Sequence, residues 1–135
     1  MNVTLNSVIS CTSFFFLVNR IFTFNCKKHN LVINYTSGVH AFGSTIMCLA
    51  HIISDKLNML NESNLDLFGF NIKSFSSGYF IYDSIITLLT QKGLNRFVFL
   101  YHHIFSLLII NNTINYPIYQ VLFWAELSNL PYYMV

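Results

Sequence analysis

Charge is what this 135-residue chain has least of: seven Lys/Arg and five Asp/Glu, 9% of the residues, against roughly 25% in a typical soluble domain. A water-facing surface cannot be built from so few charges. The net charge is only +2 and no basic run exceeds Lys27-Lys28, so nucleic acid is not an expected partner. Cysteine is also sparse. Cys11, Cys26 and Cys48 are odd in number, widely spaced and without a C-x-x-C pair, which argues against a disulfide framework or a zinc knuckle. No G-x-S-x-G, Walker loop, G-x-G-x-x-G or H-E-x-x-H occurs, so no cofactor is expected from the common motifs.

What the chain does have is 54% hydrophobic and 17% aromatic residues. A bilayer core about 30 Å thick takes roughly 20 mostly apolar helical residues, and five stretches of about that length occur, near 5–25, 31–54, 76–92, 96–114 and 117–135. Only the first is close to uniformly apolar. The others carry Ser, Gly, His, Asp, Glu or Tyr, which a bundle interior accepts and a lone helix in lipid does not. The expected fold is therefore all-α, a polytopic membrane bundle of about five transmembrane helices. The first segment with its basic loop forms residues 1–30, and residues 31–135 form the main domain.

Nothing basic precedes the first apolar run, and Lys27, Lys28 and His29 follow it. This fits a reverse anchor with the amino terminus outside better than a cleaved signal. Arg20, Lys27, Lys28, Lys92 and Arg96 then lie at cytosolic ends, and only Lys56 and Lys73 fall in an outer 55–75 loop, as positive-inside counting requires. The sequons at Asn2, Asn61 and Asn111 face outward in this arrangement.

Ionisable residues within spans are costly and mark candidate sites. His40, Asp83, His102-His103 and Glu126 lie on four different segments, all roughly 9–14 Å below the cytosolic edge at 1.5 Å per residue. Each has an inward-facing stripe: Ser37, His40, Ala41 and Ser44 on the second segment; Tyr79, Tyr82 and Asp83 on the third; Ser106 beside the His pair; Glu126 and Asn129 on the fifth, with Pro131 able to kink or end that helix. Adjacent helical positions point about 100° apart. One imidazole of the pair can thus face a substrate while a carboxylate orients the other. His51 receives no role. A metal site is not expected, because Phe99 stands where an H-x-x-H-H box would need histidine and the chain has five histidines in all. The competing reading of every one of these polar groups is helix packing by hydrogen bonds.

Four stretches carry a family resemblance: Thr36-Ser37-Gly38-Val39-His40-Ala41, the run from Ser76 to Asp83, the segment from Tyr101 to Leu107, and Ala125-Glu126-Leu127-Ser128-Asn129-Leu130-Pro131. In this order they resemble landmarks of the TLC domain, the membrane lipid-handling domain of ceramide synthases and related proteins, over about residues 31–135. The resemblance implies an all-helical domain around a lipid-accessible cavity, in an endomembrane such as the endoplasmic reticulum. It implies candidate catalytic roles for His102, His103, Asp83 and Glu126 in acyl transfer from a fatty acyl thioester to an amine, and lipid contacts at His40, Tyr79, Tyr82, Ser106 and Asn129. Glu126 and Asn129 stand where ceramide synthases carry two acids. The E-L-S-x-x-P form is similar to the non-synthase branch, for which lipid binding, sensing or control of lipid composition is expected in place of catalysis. The family's domain continues for roughly two more spans, so the chain is expected to be truncated or to self-associate. Three functions stay open: lipid handling, acyl transfer, or a structural role alone.

Overall fold

The computed structural model describes residues 4–25, 29–112 and 117–133. Five helices follow one another: α1 (Leu5–Asn25), α2 (His29–Lys56), α3 (Glu62–Thr90), α4 (Gly93–Asn112) and α5 (Pro117–Tyr133), with no strand among the described residues. The all-α expectation holds. Helices α1, α2 and α4 are each long and apolar enough to cross a bilayer, and the chain is a multi-pass membrane protein. The other two fall short on different grounds. Helix α3 has 29 residues but carries Glu62, Asp66, Lys73 and Asp83, while α5 has only 17 residues, about 26 Å of helix.

One boundary departs from expectation. The 55–75 stretch is not an outer loop: the connection is residues 57–61, and α3 begins at Glu62, placing Lys73 inside a helix. Its start is set by local chemistry and not by hydropathy. Asn61 has extended backbone and its side-chain oxygen accepts from the Asn64 amide at 2.9 Å, an N-cap, with the acidic Glu62 in the first turn. The other end of α3 turns just as tightly. The Gln91 amide bonds Thr87 O, Arg96 Nε donates to Gln91 O at 2.8 Å, and Gly93 takes φ +61°, a left-handed conformation that glycine adopts without strain. The chain thereby reverses from α3 into α4 across two residues.

The outer surface is apolar. Leu5, Ile9, Leu17, Ile21 and Phe24 of α1 and Phe97, Val98, Ile104, Phe105 and Leu108 of α4 are exposed, the pattern of a lipid-facing surface. The interior is the more polar side: Thr36, Ser37, His40, Ser44, Ser74, Ser76, Ser77, His103 and Glu126 are buried. Thr36, Ser37 and the also buried Thr45 spend their protons on the preceding turn, on Val32 O, Ile33 O and Ala41 O, which satisfies them without water.

Helix α3 sits at the centre, packed on α1, α2 and α4, and α5 packs on α2. Helices α4 and α5 scarcely touch each other, and a gap opens between them. The tightest joint is α1 on α3. A Cβ on Gly78 would collide with Cys11 and come within 2.8 Å of the Thr12 amide nitrogen. Thr12 Oγ1 also lies 3.2 Å from Gly78 O, and Ser7 Oγ 3.1 Å from Ser74 Oγ. A small-residue contact of this kind lets two backbones meet. Gly78→Ala should therefore lower stability by about 1–3 kcal/mol. Gly43→Ala, whose Cβ would meet only the Phe75 ring at 3.1 Å, should cost less. Thermal unfolding of both variants in detergent checks this, and equal losses would contradict the backbone contact.

Candidate functional site

The five ionisable positions picked out along the chain meet. His40, Asp83, His102, His103 and Glu126 line one cavity of about 390 Å³, together with Tyr79, Phe80, Phe99 and Asn129. Four helices supply them, and each side chain is held differently.

On one wall, His40 lies flat against Tyr79, ring centroids 3.9 Å apart and 6° from parallel. Its Nε2 is 3.0 Å from Ser44 Oγ, one turn further along α2, and Ser44 Oγ is 3.3 Å from Ser76 Oγ of α3. Its Nδ1 faces Glu126 Oε2 of α5 at 3.7 Å, too long for a hydrogen bond but short enough for the carboxylate to see the imidazole through a low-dielectric interior. Asn129, one turn along α5, lines the same cavity. The Tyr79 hydroxyl donates to Ser37 Oγ at 2.9 Å, which ties the stack to α2. The expected small-residue stripe of Ser37, His40, Ala41 and Ser44 is buried along its whole length.

On the opposite wall, His103 Nε2 is 3.0 Å from Asp83 Oδ2, joining α4 to α3, and its Nδ1 is 3.4 Å from Ser84 Oγ. A proton on His103 Nε2 is placed to be donated to Asp83 Oδ2. Both nitrogens of His103 are thus engaged and the ring is buried. His102 is the opposite case. It is exposed, its imidazole makes no hydrogen bond among the described residues, and its ring lies 5.6 Å from that of His103. The pair splits into an anchored imidazole and one that faces the open side of the cavity.

A second, smaller space adjoins the first. A groove of about 140 Å³ runs between α4 and α5, lined by Ser106, Ile109, Ile110, Ile118, Leu122 and Ala125 among others, and it shares Phe80, His102, Glu126 and Asn129 with the polar cavity. Ser106 belongs to this groove and not to the polar chamber. Exposed Asn129 borders both spaces.

Tyr82 is the expected lipid contact that the fold turns away from the cavity. It is fully buried against α1, its ring 5.0 Å from Phe16 and 6.0 Å from Phe15. Its hydroxyl lies near Asn19 and Thr36 without hydrogen-bonding geometry to either. The reason is rotation along α3: at about 100° per residue, Tyr82 sits some 60° to one side of Tyr79 and Asp83 about 40° to the other, so one faces α1 and the other the chamber. Phe80, Ser84 and the aliphatic groove residues Ile109, Ile110, Ile118, Val121 and Leu122 were not singled out from the sequence. Apolar residues on α4 and α5 recur throughout both helices and carried no distinguishing signal there, and Ser84 is one serine among many.

Among the described residues no group of three or more His, Cys, Asp and Glu is arranged to hold a metal. What the chamber offers, among the described residues, is hydrogen-bonding and acid–base groups: two carboxyl groups, three imidazoles and a phenol, with no Lys or Arg in the lining. A double-mutant cycle on Asp83→Ala and His103→Ala, read as unfolding free energy in detergent, should give a coupling of about 0.5–3 kcal/mol. The cycle with His102→Ala in place of His103→Ala should give less. Additive effects for Asp83 and His103 would contradict the anchored pair.

A comparison with known families places residues 30–133 within the TLC domain. Neither the curated proteins nor the solved structures yield a match. The match covers α2 to α5, the four helices that line the chamber, and leaves out α1, although buried Phe15 of α1 packs 5.9 Å from the His40 ring. The chain belongs to the TLC domain family.

Proposed function

We propose that this protein holds an amphiphilic lipid, its head group in the polar chamber and its hydrocarbon chain in the groove between α4 and α5. The observation that carries the reading is that a polar and an apolar space lie side by side. A hydrogen-bonding cavity within a membrane bundle borders, at Phe80, His102, Glu126 and Asn129, an apolar groove. Ligand sites of this kind pair a large apolar lining with a few convergent polar groups. Because α4 and α5 scarcely touch, a chain can enter sideways from the bilayer. Among the described residues the chamber lining holds two carboxyl groups and no cation, which disfavours a phosphate or other anionic head and favours one bearing hydroxyl or amine donors. Lipid sensing or control of membrane lipid composition in an endomembrane such as the endoplasmic reticulum fits such a site.

One observation favours a second reading, acyl transfer from a fatty acyl thioester. His103 is oriented by Asp83 at 3.0 Å, and accessible His102 beside it is the group free to take a proton from an attacking hydroxyl or amine. In that reading His102 would touch the reacting atoms and His103 would position it.

Ala125 lines the groove, and Ala125→Trp should fill it. Protein purified from membranes should then lose its co-purifying lipid in native mass spectrometry, whereas Leu108→Trp, on the exposed side of α4, should keep it. Retention of the same lipid by the Ala125→Trp variant would contradict the site. Acyl transfer from a thioester by the wild type, lost in a folded His102→Gln variant, would establish the second reading over simple binding.

A further inference from the structure

His103 is held at both ring nitrogens, and the two partners differ in what they ask of the imidazole. At Nε2 the partner is Asp83 Oδ2 at 3.0 Å, a contact that takes one proton whichever of the two groups carries it. At Nδ1 the partner is Ser84 Oγ at 3.4 Å. A serine hydroxyl has one proton to give and lone pairs with which to accept. Ser84 gives its proton to Phe80 O, one turn back on α3, at 2.7 Å. What it turns toward the imidazole is therefore a lone pair, and the hydrogen at that contact has to come from Nδ1. The Phe80 ring packs on the same imidazole, centroids 5.8 Å apart, and Phe80 belongs to the main hydrophobic cluster. Phe80, Asp83 and Ser84 all lie on α3, so a single turn and a half of one helix grips the His103 ring on its face and at both nitrogens.

We infer that Ser84 is a positioning residue that keeps a proton on His103 Nδ1, so that Asp83 and His103 together hold two protons and carry no net charge. With one proton fewer, an imidazole facing an ionised carboxylate through Nε2–H would leave the pair with one negative charge. It would also set a bare Nδ1 against the Ser84 oxygen, lone pair against lone pair. A net charge in a membrane interior is costly, and the two-proton arrangement avoids both penalties. Which imidazole nitrogen carries a proton is set by the hydrogen bonds the ring makes, and here each nitrogen has its own partner. The consequence rests on the reading of the chamber as a site for a lipid head group or an acyl acceptor. His103 has no free lone pair to offer there. A hydroxyl or amine in the chamber finds its acceptor at Glu126 or at exposed His102. In acyl transfer, the proton released as that hydroxyl or amine bonds the acyl carbon passes to His102, and it leaves with the thiol as the carbon–sulfur bond breaks.

The test reads the proton directly, by nitrogen-15 resonance of histidine-labelled full-length protein in nanodiscs at neutral pH. The His103 signals are identified by their loss in His103→Gln. Nδ1 of His103 should show the shift of a protonated ring nitrogen in the wild type and in Ser84→Thr, which keeps the hydroxyl. Ser84→Ala removes the acceptor, and there Nδ1 should shift to the position of a bare nitrogen while the helical spectrum stays unchanged. Ser84→Cys, with a weaker acceptor of similar size, should fall between the two. A bare Nδ1 in the wild type would overturn the assignment. So would an Nδ1 that stays equally protonated in folded Ser84→Ala and Ser84→Cys, because Ser84 would then not be what holds the proton. No lipid enters the measurement, so either of those results leaves the lipid-holding reading standing. A protonated Nδ1 in protein that binds no lipid would remove that reading and leave the role of Ser84 in place.

Discussion

The contact between His103 and Asp83 organises this protein. A carboxylate and an imidazole cannot lie in a membrane interior unpaired without a large desolvation cost, and each supplies what the other needs at 3.0 Å. The pairing draws α4 onto α3 at the level where α2 and α5 present His40 and Glu126. A buried acid–imidazole contact of this kind adds little net stability, but removing one member leaves the other a polar group without its partner. Its effect is one of register: it fixes which turn of α4 faces the centre of the bundle. The rest of the chamber follows from that register, including the outward-facing position of His102.

The two walls of the chamber are built by different means. The His40 wall is rigid, with a ring stacked on Tyr79 and two serines in line behind it. The wall formed by α4 and α5 is open, because those helices are held by α3 and α2 respectively and hardly by one another. A polar back held by hydrogen bonds and an apolar front between loosely joined helices is the arrangement on which the proposed lipid site rests. Helix α1 lies outside the family match, yet it supports the rigid side through Phe15, which packs on Phe75, Tyr79 and His40.

Much of this was legible in the sequence, for a physical reason. Ionisable residues within apolar helices are so costly that they mark a shared interior, and His40, Asp83, His103 and Glu126 could be brought to one depth by counting residues. The helical character of each segment and the resemblance to the TLC domain were legible on similar grounds. Three features were not. The start of α3 depends on the Asn61 cap and not on apolarity, so the polar turns from Glu62 to Lys73 read as loop. The direction of Tyr82 depends on a rotation of tens of degrees that only the position of α1 resolves. The groove is made of isoleucine, valine and leucine, which look the same in a sequence whether they pack on a neighbour or line a gap.

The central claim is that four helices converge on a single polar chamber, and crosslinking in native membranes tests it most directly. In a background where Cys11, Cys26 and Cys48 are replaced by serine, cysteine pairs would be introduced as Asp83→Cys with His103→Cys and as His40→Cys with Glu126→Cys. Both pairs should join rapidly with a short bifunctional reagent, whereas a Leu17→Cys, Leu108→Cys pair on two lipid-facing surfaces should not. Failure of both chamber pairs in folded protein, or joining no faster than the control, would contradict the account.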